Sequence, residues 1–181
     1  MNDSVYNECI KLAKETKIYD QCLKDNIFDI GLFKDKVNWY HISWHQKLSE
    51  EFIREFKDKV NWYNISCNQT LSEEFIREFQ DKVFWYHISW KQKLSEDFIR
   101  EFKDKVCWYP ISYRQILSEE FICEFKDNIS WYNISEHQKL SEEFICEYLN
   151  EIDIESLFEN KKINLTKEFK EKIKVLKMLI E

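Results

Sequence analysis

Two histidines one helical turn apart are the residues whose types and spacing most readily suggest chemistry. His41 and His45, in WYHISWH, have the spacing of two ligands of one metal ion on a helix. No third ligand lies near them in the sequence, and His87 follows only two repeats later. The many acidic residues belong to a charged helix face that implies no pocket. We therefore expect no metal, no cofactor and no catalytic residues.

Cysteine chemistry is the second candidate. The six cysteines contain no CxxC pair and favour free thiols over a disulfide framework. Cys123 and Cys146 both stand where an earlier copy of a repeat has Arg54. Because equivalent positions of stacked helices are about 9 to 10 Å apart, beyond the reach of an unstrained disulfide, we expect two exposed free thiols.

These residues belong to a sequence that repeats every 23 residues. Thirteen of the 23 positions are identical in all five full copies, which start at Phe33, Phe56, Phe79, Phe102 and Phe125. A period of this length is typical of stacked units in which each unit contacts its neighbours. Since the chain has one glycine and one proline but is 17% aromatic, we expect helices joined by tight polar corners.

The second half of each copy predicts a long helix. In LSEEFIREFKDKV, residues 48–60, Ser49 is placed to cap the helix and Glu50 to put negative charge at its positive end. On a helical wheel, one sector of about 100° collects the apolar Phe52, Ile53, Phe56 and Val60. The charged residues, Glu50 among them, face the other way, toward solvent.

The first half of each copy predicts a short helix over residues 38–46. As a helix, this segment places the identical residues on one side, namely Trp39, Ile42, Ser43 and Gln46. Pro110 then lies in the first turn of its copy, where proline is tolerated. We predict an all-α solenoid of five 23-residue repeats, each with a short and a long helix. The alternative is a leucine-rich-repeat-like α/β horseshoe with WYxIS as its strand.

Degenerate copies of the repeat predict capping segments at both ends of the array. Residues 16–27 echo residues 118–129, and residues 152–157 echo VNWYNI. We expect three regions: an N-terminal helical cap over residues 1–32, five tandem repeats over 33–149, and a degenerate repeat with a capping helix over 150–181. No apolar run approaches a membrane span, and no signal peptide is evident at the start. We therefore expect an intracellular protein that is not secreted and does not enter a membrane.

The pattern W-Y-x-I-S-x-x-Q-x-L-S-E-x-F-I-x-x-F, over about residues 33–148, resembles the short tandem repeats of uncharacterised proteins of giant DNA viruses that infect amoebae. The resemblance implies a viral protein made in a host cell, located in the host cytoplasm or the virion. By analogy with viral ankyrin arrays, it also implies a role in binding other proteins.

Two polar residues recur on the apolar side of every short helix. We expect each glutamine to donate to a carbonyl in the corner of the next copy and to accept from an amide nearby, so that a polar ladder runs along the stack. The ladder comprises Ser43, Gln46, Ser66, Gln69, Ser89, Gln92, Ser112, Gln115, Ser135 and Gln138. The repeated tryptophans, Trp39, Trp62, Trp85, Trp108 and Trp131, are expected in the core.

The third, sixth and seventh residues from each tryptophan vary and are expected opposite the buried face. Aromatic and basic residues dominate this variable stripe, as in protein interfaces. Its candidate partner-binding residues are His41, Trp44, His45, His87, Trp90, Lys91, Tyr113, Arg114 and His137. A scaffold that binds a protein partner is our first hypothesis, and a self-assembling structural protein is the second. Unconstrained surface variation is the plain alternative, while the net charge of −7 argues against nucleic acid.

Overall fold

Helices dominate the computed structural model, which describes residues 1–180 except for the side chain of residue 180. Glu181, the last residue of the predicted C-terminal region, lies outside the described part. The chain divides into two compact units, Met1–Lys91 and Gln92–Glu181. None of the helices within residues 1–180 is long and apolar enough to cross a membrane.

Unit 1 begins with a cap and continues with five helices of the repeats. The cap contains α1 (Asp3–Glu15), a 3-10 turn (Tyr19–Cys22), the strands β1 (Leu23–Lys24) and β2 (Ile27–Phe28), and α2 (Ile30–Lys36). The repeat helices are α3 (Trp39–His45), α4 (Glu50–Glu55), α5 (Trp62–Asn68), α6 (Glu73–Glu78) and α7 (Trp85–Lys91). The strands β1 and β2 form an antiparallel hairpin whose loop residues, Asp25 and Asn26, both have positive φ. Residues 16–27, expected to echo a repeat helix, thus form a turn and a hairpin instead.

Unit 2 continues the same alternation to the C-terminal region. Its helices are α8 (Glu96–Glu101), α9 (Trp108–Arg114), α10 (Glu119–Glu124), α11 (Trp131–His137), α12 (Glu142–Glu147), α13 (Ile154–Glu159) and α14 (Lys167–Ile180). In both units we call the WYxIS helices α3, α5, α7, α9 and α11 helix A of their repeats. The EEFI-type helices α4, α6, α8, α10 and α12 are helix B.

The predicted all-α solenoid is confirmed, because every WYxIS segment is helical and helices A pack side by side within each unit. In unit 1, α3 packs on α5 and α5 on α7; in unit 2, α9 packs on α11 and α11 on α13. The leucine-rich-repeat-like alternative is wrong. Within residues 1–180, the strands are confined to the two-residue pair in the N-terminal cap.

The length predicted for the second helix is wrong. Helix B of the first copy spans Glu50–Glu55, six residues instead of the thirteen expected, and helix A, with seven residues, is the longer one. Phe56 leaves helical geometry at φ −112° and ψ 28°, and the N–H groups of Lys59 and Val60 both donate to its carbonyl in a tight turn. This turn returns Val60 to the core, where it is 7% exposed.

The most deeply buried apolar side chains of each repeat are one from helix A and two from helix B. In the first copy these are Ile42, Phe52 and Ile53, and all three are fully buried. Ser49 caps helix B by accepting a hydrogen bond from the Phe52 N–H, and the other four copies repeat this cap. Helix B is therefore positioned by its cap and its apolar face, as the sequence predicts.

Candidate interaction surface

The repeated tryptophans fasten helix A to the segment that precedes it, which is α2 for Trp39 and the turn after helix B for Trp62. The indole Nε1 of Trp39 donates to the carbonyl of Lys34 across 3.0 Å, and that of Trp62 donates to the carbonyl of Lys57 across 2.8 Å. Their rings pack on the core, with the Trp39 ring centroid 5.1 Å from that of Phe56. All five tryptophans are half-buried, so their prediction as core residues is wrong. The indole must reach a backbone carbonyl at the protein surface.

The predicted glutamine ladder is present in both units. Gln69 Nε2 donates to the carbonyl of Gln46 across 2.8 Å, and Gln69 Oε1 accepts from the N–H of Leu48 across 3.0 Å. In unit 2, Gln115 and Gln138 repeat both bonds. Each of these glutamines therefore binds the repeat before its own, so the expected direction of the bonds, toward the next copy, is wrong. The side chain of Gln46, at the start of the array, makes no hydrogen bond within residues 1–180.

The serines of helix A form a second connection between repeats. Ser43 Oγ donates to the carbonyl of Trp39 and accepts from the N–H of Asn61, the cap residue of the next helix A. Ser135 makes the same pair of bonds, to Trp131 and Asp153. The buried hydroxyl is thus satisfied both as a donor and as an acceptor, and its role is structural.

Sequence reasoning missed a third connection, made by the first glutamate of helix B. Glu50 was expected on a solvated face, but it is half-buried and accepts from the N–H of Ser72 at 2.6 Å and from its Oγ at 3.0 Å. In unit 2, Glu96 and Glu119 bind the next cap serine in the same way. For Ser49, the cap serine of the first copy, the carboxylate of Glu8 in α1 accepts the equivalent hydrogen bonds. The available signal was that glutamate and serine are identical in all five copies.

The variable stripe is only partly on the outside. His41, Trp44, His45, Lys91 and Arg114 are exposed, whereas His87, Trp90, Tyr113 and His137 are half-buried. The expected outward direction of the third position is wrong in the three copies where Asn64, Pro110 and Asn133 are buried.

Lateral packing of helices A explains this correction. The third and seventh positions face the helix A of the preceding repeat, as three contacts show. Asn64 Nδ2 donates to the carbonyl of Tyr40, and the rings of Tyr63 and His87 meet edge to face at 4.8 Å. In unit 2, the rings of Tyr113 and His137 meet at 4.1 Å.

An exposed row of identical tyrosines is the main surface feature that the sequence reasoning overlooked. The second residue of helix A is tyrosine in every copy, and the five side chains are between 44% and 58% exposed: Tyr40, Tyr63, Tyr86, Tyr109 and Tyr132. A large aromatic side chain that is both repeated and exposed is not needed for the core. The signal was present in the helical wheel, which places this position about 100° from the tryptophan that packs on the core.

In unit 1 the tyrosines join other aromatic side chains to form what we call the aromatic face, which consists of Tyr40, Trp44, Tyr63, Phe84, Tyr86 and Trp90. Tyr40 stacks on Trp44 and Tyr86 stacks on Trp90, both at 6.2 Å between ring centroids. Tyr63 contacts the ring of Phe84 edge to face at 5.4 Å. Where the sixth position is tryptophan, it thus stacks on the tyrosine of its own helix.

The ionisable side chains of the helices that carry the aromatic face include basic residues but no carboxylates. The helices α3, α5 and α7 contain no aspartate or glutamate. Lys91 is exposed at the end of α7, next to His87. Burial and the positive charge of Lys91 lower the pKa of His87 below 6.5, which favours the neutral imidazole near neutral pH.

Unit 2 has an acidic groove between α11 and α13, with a volume of about 570 Å³. Its walls include the rings of Tyr132 and Phe158 and the carboxylates of Glu136, Asp153, Glu155 and Glu159. Hydrogen bonds from the Ser156 hydroxyl and N–H lower the pKa of Asp153. The degenerate repeat opens this groove, because Ser156 is small and Glu155 replaces the tyrosine of the full copies.

The histidines and cysteines singled out in the sequence are not arranged as a metal site or as a disulfide. The rings of His41 and His45 contact each other at 4.7 Å, and no group of three metal-ligating side chains lies together among residues 1–180. Cys123 and Cys146 are free but half-buried, so their predicted exposure is wrong. The Tyr148 hydroxyl donates to Cys123 Sγ at 3.2 Å, and this contact raises the pKa of Tyr148 to about 12.

No protein-family model, curated protein or solved structure matches the chain. The viral origin implied by the repeat pattern therefore stays a prediction. Function is inferred from the geometry of the repeats and of their exposed side chains.

Proposed function

We propose that the chain is a non-enzymatic repeat scaffold that binds a protein partner through the aromatic face of unit 1. The observation that carries this proposal is the exposed tyrosine that recurs in every helix A. Tyr40, Tyr63 and Tyr86 are each at least 44% exposed, although their ring area would favour burial. Tyrosine and tryptophan anchor protein interfaces because they offer large contact area with few rotatable bonds.

The scaffold supports this role by holding the aromatic face rigid. In unit 1, α3 and α5 are each fastened by their tryptophan to the preceding segment and by their serine to the next repeat. The stacked pairs Tyr40 with Trp44 and Tyr86 with Trp90 restrict the rotamers of the exposed rings. Less conformational entropy is then lost when a partner binds. In this proposal the sixth position, which varies between copies, provides specificity.

The test is affinity purification from expressing cells with the full chain as bait, followed by titration of the purified partner. Trp44→Ala with Tyr86→Ala removes two exposed rings, and we expect binding to weaken by at least about tenfold. Ile116→Ala, at an 84% exposed apolar residue of unit 2, is the control and should bind like the parent chain. A partner that binds both variants equally well would refute this site.

Self-assembly is the second candidate, and α14 supplies the observation that favours it. Val175, Met178 and Leu179 are 56%, 75% and 78% exposed at the end of this helix. Such an apolar patch is suited to contact with another copy of the chain. Light scattering at increasing concentration tests this, with Met178→Glu as the disrupting variant. A monomer at every concentration would rule out assembly through α14.

We further propose that the protein acts inside a host cell, in the cytoplasm or in a virion, and does not bind nucleic acid. The repeat pattern supports the viral setting, and the net charge of −7 opposes binding to phosphates. Immunolocalisation in a cell that expresses the chain, together with analysis of purified particles, separates the two locations.

A further inference from the structure

The distribution of charge in unit 1 indicates what kind of partner suits the aromatic face. Each helix B of this unit, α4 and α6, carries three glutamates in six residues. The helices A of the same unit, α3, α5 and α7, carry none. In a chain with 34 acidic residues, the aromatic face is thus a region that an anionic group can approach without local repulsion.

The face also offers positive charge and hydrogen-bond donors. Lys91 is exposed and forms no ion pair within residues 1–180. It lies close enough to His87 to lower the pKa of that imidazole. The tyrosine hydroxyls of Tyr40, Tyr63 and Tyr86 belong to exposed side chains and are able to donate to carboxylates. Charge complementarity therefore favours a partner with acidic side chains.

The repeat spacing indicates the conformation of that partner. Neighbouring helices A pack directly on each other, α3 on α5 and α5 on α7. Packed helices lie about 8 to 10 Å apart, and one turn of an extended polyproline II segment contains three residues and spans about 9 Å. A segment in this conformation that runs across the three helices would thus bring every third side chain to an equivalent place beside a tyrosine.

We propose that the aromatic face binds an extended acidic segment of a partner protein, with apolar and acidic side chains on a three-residue period. This inference rests on the proposed function and specifies its partner. Apolar side chains pack between the rings of Tyr40, Trp44, Tyr63 and Tyr86, while the carboxylates take hydrogen bonds from tyrosine hydroxyls and pair with Lys91.

A peptide fits this face better than a nucleic acid. Nucleic acids carry a charge on every nucleotide, and their affinity comes largely from cations that contact successive phosphates. The helices α3, α5 and α7 together offer one lysine, Lys91, and no arginine. A segment with a few carboxylates between apolar residues needs fewer cations, and its apolar side chains pack on the aromatic rings as in protein interfaces.

Fluorescence anisotropy with the full chain tests the proposal directly. The probes are a labelled peptide of about 15 residues made of repeated Glu-Leu-Ser, its Lys-Leu-Ser counterpart and a labelled oligothymidylate. We expect the glutamate peptide to bind at least about tenfold more tightly than either of the other probes. Absence of binding by the glutamate peptide, or tighter binding of the lysine peptide or the oligothymidylate, would overturn the proposal.

Charge reversal locates the binding. Lys91→Glu should weaken the glutamate peptide about fivefold to tenfold. Lys57→Glu changes an exposed lysine on the turn after α4 by the same charge and should bind like the parent chain. Equal weakening by both variants would overturn the proposal, because net charge alone would then explain it.

The natural partner separates this inference from the proposed function. If the double variant Trp44→Ala with Tyr86→Ala no longer binds the partner but Lys91→Glu still does, the proposal of an acidic segment is refuted. The aromatic face then remains the proposed binding site. A partner unaffected by any of these variants would remove both proposals. A partner lost by both sets of variants, and captured through an acidic segment, would support both.

Discussion

Gln69 uses both ends of its side-chain amide to bind the repeat before its own. Nε2 donates to the carbonyls of Gln46 and Ser43 at 2.8 and 3.2 Å, while Oε1 accepts from the N–H of Leu48 at 3.0 Å. The side chain is 5% exposed, so water is not a ready substitute for these bonds. One residue thus satisfies the backbone of the corner between helix A and helix B.

Gln69→Ala should lower the free energy of unfolding by about 2 to 3 kcal/mol, because it leaves buried backbone groups of Ser43, Gln46 and Leu48 without their partner. Urea unfolding followed by circular dichroism measures the loss. Gln46→Ala is the matched control, since that half-buried side chain makes no hydrogen bond within residues 1–180. Similar losses for the two variants would show that side-chain volume, and not the ladder, stabilises the stack.

Glu50→Gln should lower the free energy of unfolding by about 1 to 2 kcal/mol. The carboxylate of Glu50 accepts two hydrogen bonds from Ser72, and an amide in its place offers one acceptor atom and one mismatched donor. Glu51→Gln is the control, because Glu51 is exposed and reaches Arg54 only at 4.0 Å. Thermal unfolding of the two variants should differ clearly; equal melting temperatures would assign Glu50 to the solvated face.

The sequence specifies the repeat, its helices and the glutamine ladder because these depend on local patterns. Ser49 at the cap, Phe52 and Ile53 on one helical face, and a glutamine at a fixed place in every copy all lie in short, periodic segments. Local propensity and amphipathic spacing are sufficient to predict them.

The buried third positions and the end of helix B depend on contacts between repeats, which a helical wheel of a single helix does not describe. Within unit 1, α5 lies between α3 and α7, and within unit 2, α11 lies between α9 and α13. Asn64 on α5 and Asn133 on α11 are therefore buried at positions that the wheel places outside. The turn that ends helix B likewise contains a contact from the next repeat, because the Trp62 indole donates to the carbonyl of Lys57. The exposed tyrosines were visible in the sequence but were overlooked, because identical positions were equated with buried ones.

Asn133→Ala should leave stability unchanged or raise it by about 1 kcal/mol. The Asn133 side chain is 1% exposed, and within residues 1–180 neither its Oδ1 nor its Nδ2 has a hydrogen-bond partner. Removing a buried, unpaired amide saves its desolvation cost. Asn64→Ala is the matched control at the same position, and it should destabilise by about 1 kcal/mol since Asn64 Nδ2 donates to the Tyr40 carbonyl. The reverse order of melting temperatures would contradict this account.

Trp39→Ala and Trp44→Ala should separate the structural tryptophan from the surface tryptophan. Trp39 packs on Phe52 and Phe56 and donates to the Lys34 carbonyl, so its loss should cost about 3 kcal/mol. Trp44 is 42% exposed, and its loss should change stability by about 0.5 kcal/mol or less. Urea unfolding checks both values. Trp39→Phe keeps a ring and removes the indole donor, so a cost close to that of the alanine variant would assign the effect to the hydrogen bond.

His87 should make the stability of the chain fall in mild acid. Burial and the charge of Lys91 lower its pKa in the folded state below 6.5, whereas in the unfolded chain the imidazole titrates near its ordinary value. Between these two pKa values the unfolded state binds more protons. The stabilisation is therefore complete above about pH 6.5 and decreases as the pH falls toward the folded pKa.

Comparison with His87→Asn isolates this effect, because asparagine occupies the same position in two other copies and does not titrate. Urea unfolding of both proteins at about pH 7.5 and about pH 5.5 should show a larger acid-induced loss for the parent chain. Nuclear magnetic resonance titration of the His87 ring should give a midpoint below 6.5. An equal loss in the two proteins, or a midpoint above 6.5, would mean that the imidazole is solvated and that its contact with the Tyr63 ring does not hold it in the neutral form.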